Sequence, residues 1–214
     1  YLFYQSLLGI WPQGPVNDAE HVRLIERLQA YMEKATREAK QRTSWISPNQ
    51  AYDQAMRDFV AAVLQNRPDN RFLADFRALH AQIVPLGHVN ALTQLVLKLM
   101  SPGVPDIYQG QELWDSSLVD PDSRRKVDYD LRRAALADVT ARTSDSTVPR
   151  RDFARELAMN LADPRVKLFV TRELLAQRQS FDRVFPAGDY VPLEVKGAKA
   201  EHAVAFARTA GRSG

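Results

Sequence analysis

The sequence predicts a mainly helical α/β chain, with one short strand set among the helices and a β region opening near its end. Three observations predict it. Apolar residues recur every three or four positions through most of the first 100 residues, the period of a helix with one buried face. Pro102, Gly103 and Pro105 then break that period, and Asp106-Ile107-Tyr108-Gln109 follows as an extended tetrapeptide closed by Gly110. After residue 183 the pattern changes again, to loosely alternating runs at 190–195 and 203–207 separated by turn residues.

The elements follow in order. Asn17-Asp18-Ala19-Glu20 starts the first helix, Asn17 as cap and Glu20 reaching back to it. Val22, Ile25, Leu28, Met32, Ala35 and Ala39 give it an apolar stripe, and it runs to about Gln41. Its other face carries Arg23, Glu26, Arg27, Glu33, Arg37 and Lys40. Ser47-Pro48-Asn49 ends the extended segment 43–46 and starts a second helix, with Tyr52, Ala55, Met56, Phe59, Val63 and Leu64 facing inward. Residues 67–70 form a turn before a third helix bearing Phe72, Leu73, Phe76, Leu79 and Ile83, which Pro85 and Gly87 end. A fourth turns Ala91, Leu92, Leu95, Val96 and Leu99 inward, so four helices precede the strand at 106–109. Beyond the loop, Leu131–Ala141 and Arg151–Leu161 are helical, separated by the polar segment 143–149, and Asp163-Pro164 starts a last helix reaching about Phe181. The chain thus divides into helices at 1–100, the strand with its loop and following helices at 101–182, and the start of a β domain at 183–214.

Composition excludes several functions. With 214 residues, 45% of them hydrophobic, the chain is long enough to bury a sizeable core. It has no cysteine, which excludes a disulfide scaffold and a thiolate metal site and fits a reducing compartment, so a cytoplasmic location is expected. No uninterrupted apolar run approaches the roughly 18 residues of a membrane span, and no membrane partner is expected. Net charge is only +3, with acids and bases interleaved, so no nucleic acid is expected either. His21, His80, His88 and His202 lack the i, i+4 spacing of a helical zinc site, and no phosphate-binding glycine loop is present; neither metal nor cofactor is expected. The chain starts at Tyr1 inside an apolar segment without a leader, as a piece of a longer protein would.

Functional groups concentrate at 101–129, SPGVPDIYQGQELWDSSLVDPDSRRKVDY. Glu112, Asp115, Asp120, Asp122, Arg124, Arg125 and Asp128 surround Trp114 there. A strand end that opens into a long polar loop is where barrel enzymes keep their chemistry. A solvated surface loop has the same composition.

The residues PGVPDIYQGQE resemble the eighth barrel strand of the α-amylase superfamily (glycoside hydrolase family 13), whose usual form is P-G-x-P-x-I-Y-x-G-x-E. The continuation LWDSSLVDPDSRR resembles, within it, the maltooligosyl trehalose synthase family. YLFYQSLLGIWP at the start and RLQAYMEKATREAKQRTSWISPNQAYDQA at 27–55 agree with that family, and residues 163–195 and 202–208 do so more weakly. The chain departs from the family at Ser123-Arg124-Arg125-Lys126, where Asn-Arg-Arg-Pro is usual, and at Asp163-Pro164, where Asp-Gly is more frequent.

The resemblance implies a C-terminal fragment of a (β/α)8 barrel. It also implies an intramolecular transglucosylase that moves a maltooligosaccharide's reducing-end glucose from an α-1,4 to an α-1,1 linkage through a glycosyl-enzyme. The family's catalytic carboxylates lie in motifs on earlier strands, and none of those motifs occurs here, so no catalytic residue is assigned and the isolated chain is expected to be inert. Its partners would be the maltooligosaccharide and the missing N-terminal barrel portion, without which poor solubility or oligomerisation is expected.

The candidate substrate-binding residues are Tyr108, Glu112, Trp114, Asp120, Asp122, Arg124, Arg125 and Lys34. Tyr108 and Trp114 offer ring faces to a sugar, or pack in the core. Glu112 binds a hydroxyl or braces the loop through Arg124. Asp120, Asp122, Arg124 and Arg125 form a charged network holding the loop, one member reaching the sugar. Lys34, Arg37, Lys40 and Arg42 either contact the oligosaccharide or solvate a helix face, and Trp45 reads as a packing anchor. Two alternatives remain: another glycosidase or transglycosylase of the superfamily, which should lack LWDSSLVDPDSRR, and a non-catalytic helical interaction module.

Overall fold

The polypeptide enters α1 (Leu2–Ile10) almost at once. This helix is absent from the sequence expectation because its residues are apolar nearly all round, so no stripe marks it. Phe3, Leu7 and Ile10 point inward at helical spacing. The structure, a computed structural model, describes residues 1–120, 122–144 and 149–210. Pro121, residues 145–148 of the expected 143–149 linker, and residues 211–214 of the expected β segment lie outside the described residues.

Helix α2 (Asp18–Ala39) starts as its capping box dictates: Glu20 N–H donates to Asn17 Oδ1 at 2.9 Å and Asn17 N–H to Glu20 Oε2 at 3.1 Å. It ends at Lys40, whose φ of 55° is the left-handed C-cap conformation. Leu28 and Met32 of the expected stripe are buried and Ile25 partly so, but His21 and Leu24 take inward positions the expectation did not include, and Val22 is exposed. His21 takes the inward position because its Nε2 lies 2.6 Å from the Leu64 carbonyl, so a polar side chain does apolar duty there. Asn49 caps α3 (Gln50–Val63) through the Tyr52 N–H, and Asn70 caps α4 (Arg71–Met100) through the Leu73 N–H, each at 3.1 Å.

Helix α4 corrects the sequence expectation. The third and fourth expected helices are one helix of 30 residues that runs through Pro85 and Gly87. Proline removes one amide donor, here the one that would bond Ala81, but its fixed φ is itself helical, so neighbouring turns hold the segment. By length and composition alone α4 is also apolar enough to cross a membrane.

Contacts divide the described chain into two units, one of residues 1–86 with 115–127, the other of 87–114 with 128–214. In the first, Phe3, Leu7 and Trp11 meet Leu24 and Leu28 of α2, Val60 and Leu64 at the end of α3, and Leu73 and Phe76 of α4. Leu7, Leu28, Val60 and Leu64 have no exposed surface at all, each burial contributing about 1.5–3 kcal/mol.

The second unit packs α5 (Tyr129–Ser144), α6 (Arg150–Met159) and α7 (Arg165–Ser180) around Val139, Phe153, Leu157, Val166 and Leu168, with Leu113 joining them. An antiparallel pair follows, β1 (Asp189–Pro192) and β2 (Phe206–Thr209), in register Asp189 with Thr209 and Pro192 with Phe206. The second strand starts later than expected because Ala200–His202 winds into a 3-10 turn. Gly188 is required ahead of the pair: a Cβ there would lie 2.3 Å from the Val184 carbonyl oxygen and 2.5 Å from that of Thr209.

The tetrapeptide 106–109 is not a strand in this chain. Residues 104–108 are irregular, residues 109 and 110 turn, and no ladder forms along them. A strand exists only through a neighbour's hydrogen bonds, and among the described residues the sole sheet is β1 with β2.

Candidate functional site

The loop that carries most of the expected site residues is anchored by a residue the sequence reading left out. Arg27, on the polar face of α2, grips the Asp122 carboxylate: Nε donates to Oδ1 at 3.1 Å and Oδ2 at 2.9 Å, and a terminal nitrogen to Oδ2 at 2.6 Å. The same guanidinium donates to the Ser116 carbonyl at 2.6 Å, and Leu118 N–H donates to Asp122 Oδ2 at 3.0 Å. Arg125 adds hydrogen bonds to the Asp122 carbonyl and Ser117 Oγ, at 3.1 and 3.0 Å. Burial pushes the Asp122 carboxyl up, but the Arg27 and Leu118 donors, with the charges of Arg27 and Arg125, outweigh it and hold it below the usual aspartate value. Asp122, buried, and Arg125 therefore brace the loop.

Asp120 and Arg124 form a separate, more exposed pair. Arg124 Nε donates to Asp120 Oδ1 at 2.8 Å, and Lys34 Nζ lies 3.9 Å from Asp120 Oδ2. Asp120 has φ +26°, a conformation that costs a residue with a Cβ of order 1 kcal/mol or more. The other described non-glycine residue with positive φ, Lys40, is a helix cap; Asp120 is not. Lys34, Asp120 and Arg124 line a pocket of about 470 Å³ together with Glu33, Glu38 and Trp45, inside the range of about 300–1,000 Å³ usual for small-molecule sites. So Lys34, Asp120 and Arg124, three of the expected site residues, do converge, and Trp45 joins them from the turn between α2 and α3.

A second network lies under the α2 side of the pocket. Arg37 donates to Asp53 Oδ2 from Nε at 3.2 Å and from a terminal nitrogen at 2.8 Å, and pairs with Glu33 at 2.9 Å. Arg57 holds the other Glu33 oxygen at 2.8 Å. Arg37 hydrogen bonding, aided by Thr43, holds the buried Asp53 carboxyl below its ordinary value against the opposing effect of burial. Asp53 sits on the face of α3 where only apolar residues were expected. An acid at an inward helical position, paired with a basic run on the preceding helix, is the signal that could have found it.

The remaining candidates belong to the other unit. Glu112 is braced, but by Arg132 at 3.2 Å rather than by Arg124, because Arg132 lies on the first turn of α5 and also donates to the Gly110 carbonyl. Trp114 is a packing residue: its indole N–H donates to the Leu161 carbonyl at 3.0 Å, His88 stacks on it at 4.6 Å and Lys167 lies 5.8 Å from its centre. Tyr108 is half exposed and is not part of a core. Among the described residues no cluster of three or more histidines and acids is placed to hold a metal ion.

No protein-family model matches the chain. A putative maltooligosyl trehalose synthase of Mycobacterium tuberculosis is 36% identical over 206 residues, 96% of this chain and 23% of that protein. A crystal structure of maltooligosyl trehalose synthase superimposes with a TM-score of 0.78 at 29% identity, covering 96% of this chain and 25% of the other. That of the Arthrobacter ramosus enzyme gives 0.73 at 31% identity, over 97% and 24%. The chain is therefore similar to this one kind of enzyme through nearly its whole length, and it spans about a quarter of the length of those relatives.

Proposed function

We propose that this chain is the C-terminal part of a maltooligosyl trehalose synthase, contributing the last barrel strand and a wall of the sugar site of an intramolecular transglucosylase. The observation that carries the reading is the 36% identity, sustained over 96% of the chain, to a putative enzyme of that name. The lack of a ladder along 104–108 is what a barrel stave does when its neighbours are on another part of the polypeptide. The strand's assignment to a (β/α)8 barrel of glycoside hydrolase family 13 rests on the motif PGVPDIYQGQE.

In the reaction, a nucleophilic carboxylate and an acid/base, both from the missing part, cut the reducing-end α-1,4 bond and form a glycosyl-enzyme. The released glucose must stay and turn, so that its C1 hydroxyl attacks in place of water. This chain's residues serve that step by position. Arg27 and Arg125 fix Asp122 and with it the loop; Lys34, Asp120 and Arg124 present donors and acceptors to sugar hydroxyls. No group here moves a proton or forms a bond to the sugar.

A chimera tests this. This chain replaces the matching quarter of the Arthrobacter ramosus enzyme, and maltopentaose is followed by loss of reducing ends and by the NMR signal of an α-1,1 linkage. The chimera is expected to form that linkage, and the 214-residue chain alone to form none. A folded chimera that only hydrolyses maltopentaose, or a chain that acts unaided, overturns the reading.

A further inference from the structure

We propose that the apolar groove formed by the second half of α4, the turn after α7 and the segment leading into β2 binds an anionic amphiphile, a medium-chain alkyl carboxylate. Its alkyl chain would lie against the apolar lining and its carboxylate at Arg208. The proposal goes beyond the enzyme reading, since every lining residue belongs to the second unit and none to the loop at 115–127. The cavity measures about 990 Å³, at the upper end of the range of about 300–1,000 Å³ usual for small-molecule sites. Helix α4 contributes Val89, Val96 and Met100, the turn after α7 Phe181 and Phe185, and the segment before β2 Val204. Val89, Val96, Phe181 and Val204 keep 39–75% of their surface open to solvent. Apolar side chains gathered around one cavity mark a binding site, as singly scattered ones do not.

Charge complementarity selects the head group. Thr93, His202 and Arg208 are the polar residues of the lining, and no carboxylate is among them. Thr93 Oγ1 donates to the Val89 carbonyl at 2.9 Å and is turned onto its own helix. His202 is exposed, with Glu201 3.4 Å from its Nε2. Asp182, Arg183, Asp189 and Glu201 are exposed residues of the same segments that do not line the groove. Arg178 and Arg208 both lie over the Phe185 ring, 5.1 and 5.8 Å from its centre. Among the described residues their hydrogen bonds go to backbone carbonyls alone, of Leu99 and Gly103 for Arg178, and of Met100, Val184, Phe185, Gly188 and Asp189 for Arg208. Two guanidinium charges thus share one ring with no carboxylate to pair them. Arg208 Nη2 has three acceptors at 2.8–3.2 Å, whereas its Nη1 has one at 3.5 Å, the Met100 carbonyl. Met100 and Arg208 both line the groove, so the underused donor lies at it. A carboxylate there gains a charge-assisted hydrogen bond, stronger than one to a neutral acceptor. A sugar would find no carboxylate on this lining to accept from its hydroxyls, and an alkyl cation would meet like charge.

The experiment is a calorimetric titration of the 214-residue chain with octanoate, decanoate and dodecanoate below their micelle concentrations, beside decyltrimethylammonium. Decanoate is expected to bind at one equivalent, each two-carbon extension to tighten binding roughly tenfold, and the cation to bind at least about tenfold more weakly than decanoate. Arg208→Gln is expected to remove most of that preference for the carboxylate. Because Arg208 also ties the turn ahead of β1, Val96→Glu is the second variant. It adds a negative charge to the lining at a helix position 39% exposed, leaves the far-UV circular dichroism unchanged, and is expected to weaken decanoate binding at least about tenfold. Binding without chain-length dependence, equal binding of carboxylate and cation, uptake of several equivalents without saturation, or decanoate binding unchanged in Val96→Glu or in folded Arg208→Gln overturns the proposal. A chain that dimerises and takes up no decanoate overturns it as well, a second copy then filling the groove. The chimera is expected to bind decanoate as this chain does, whether or not it forms the α-1,1 linkage. A folded chimera that does not bind shows the groove covered by the rest of that polypeptide and overturns the proposal while leaving the enzyme reading intact.

Discussion

Arg27 and Asp122 are 95 residues apart in sequence, and the arginine's fork closes on the carboxylate with three contacts of 2.6–3.1 Å. The pair joins α2 to the loop after the expected barrel strand, and Asp122 is only 6% exposed. Removing the arginine leaves a buried charge with fewer partners, which costs more than an exposed ion pair is worth.

Arg27→Ala should therefore destabilise the chain by about 2–3 kcal/mol, read as a fall in denaturant midpoint. Arg124→Ala is the control. Its side chain is 77% exposed, and its pairing with Asp120 should contribute less than about 1 kcal/mol. Equal losses from the two variants would mean that the loop is not hung on α2 in this way.

Acid should unfold the protein in two stages. Asp53, Asp122 and Asp163 all have carboxyls held below the ordinary aspartate value, Asp163 chiefly by hydrogen bonding from Arg165. A depressed folded pKa stabilises above the unfolded value, and that stabilisation is lost as pH falls below about 4. Burial likewise holds His80 and His88 below the ordinary histidine value, so the unfolded chain takes up their protons first and stability starts to fall below about pH 6.5. Urea midpoints at pH 7.5, 5.5 and 3.5 should show a shallow drop and then a steep one. A midpoint that rises on acidification would contradict the assignment of these pairs.

Two substitutions separate packing from function in the second unit. Trp114→Phe keeps a ring near His88 but loses the N–H to the Leu161 carbonyl, at about 1 kcal/mol, and should leave maltotetraose binding unchanged. Gly188→Ala drives a Cβ to 2.3 Å from a backbone oxygen that cannot swing away, and should destabilise by roughly 2 kcal/mol or more. Thermal melts check both.

What the sequence revealed depends on the range of the physics. Local signals were legible: the Asn17–Glu20 capping box, the Asn49 cap and the closing strand pair all stand within a few residues of where they were read. Pro85 misled, because a helix-breaking residue was weighed by its local cost while the flanking turns carried α4 through. The strand at 106–109 was read from a motif, and among the described residues no neighbour pairs with it. At the candidate site, the acids and bases of residues 120–125 were identified as a network, but their principal partner was not. Arg27 is one of several cations on a polar helix face, and nothing within 90 residues of it indicates Asp122. Trp45 was misread for a similar reason: a tryptophan is usually buried, and only the fold shows which face of a turn stays open.

Hydrogen–deuterium exchange of the 214-residue chain with and without saturating maltopentaose tests the central claim most directly, because it locates the sugar on the polypeptide without requiring turnover. Slower exchange confined to residues 30–45 and 115–127, with α5, α6 and α7 unchanged, is the predicted result. Protection elsewhere with none in those two segments, or no protection at all in a folded sample, would contradict a sugar-site wall built from α2 and this loop.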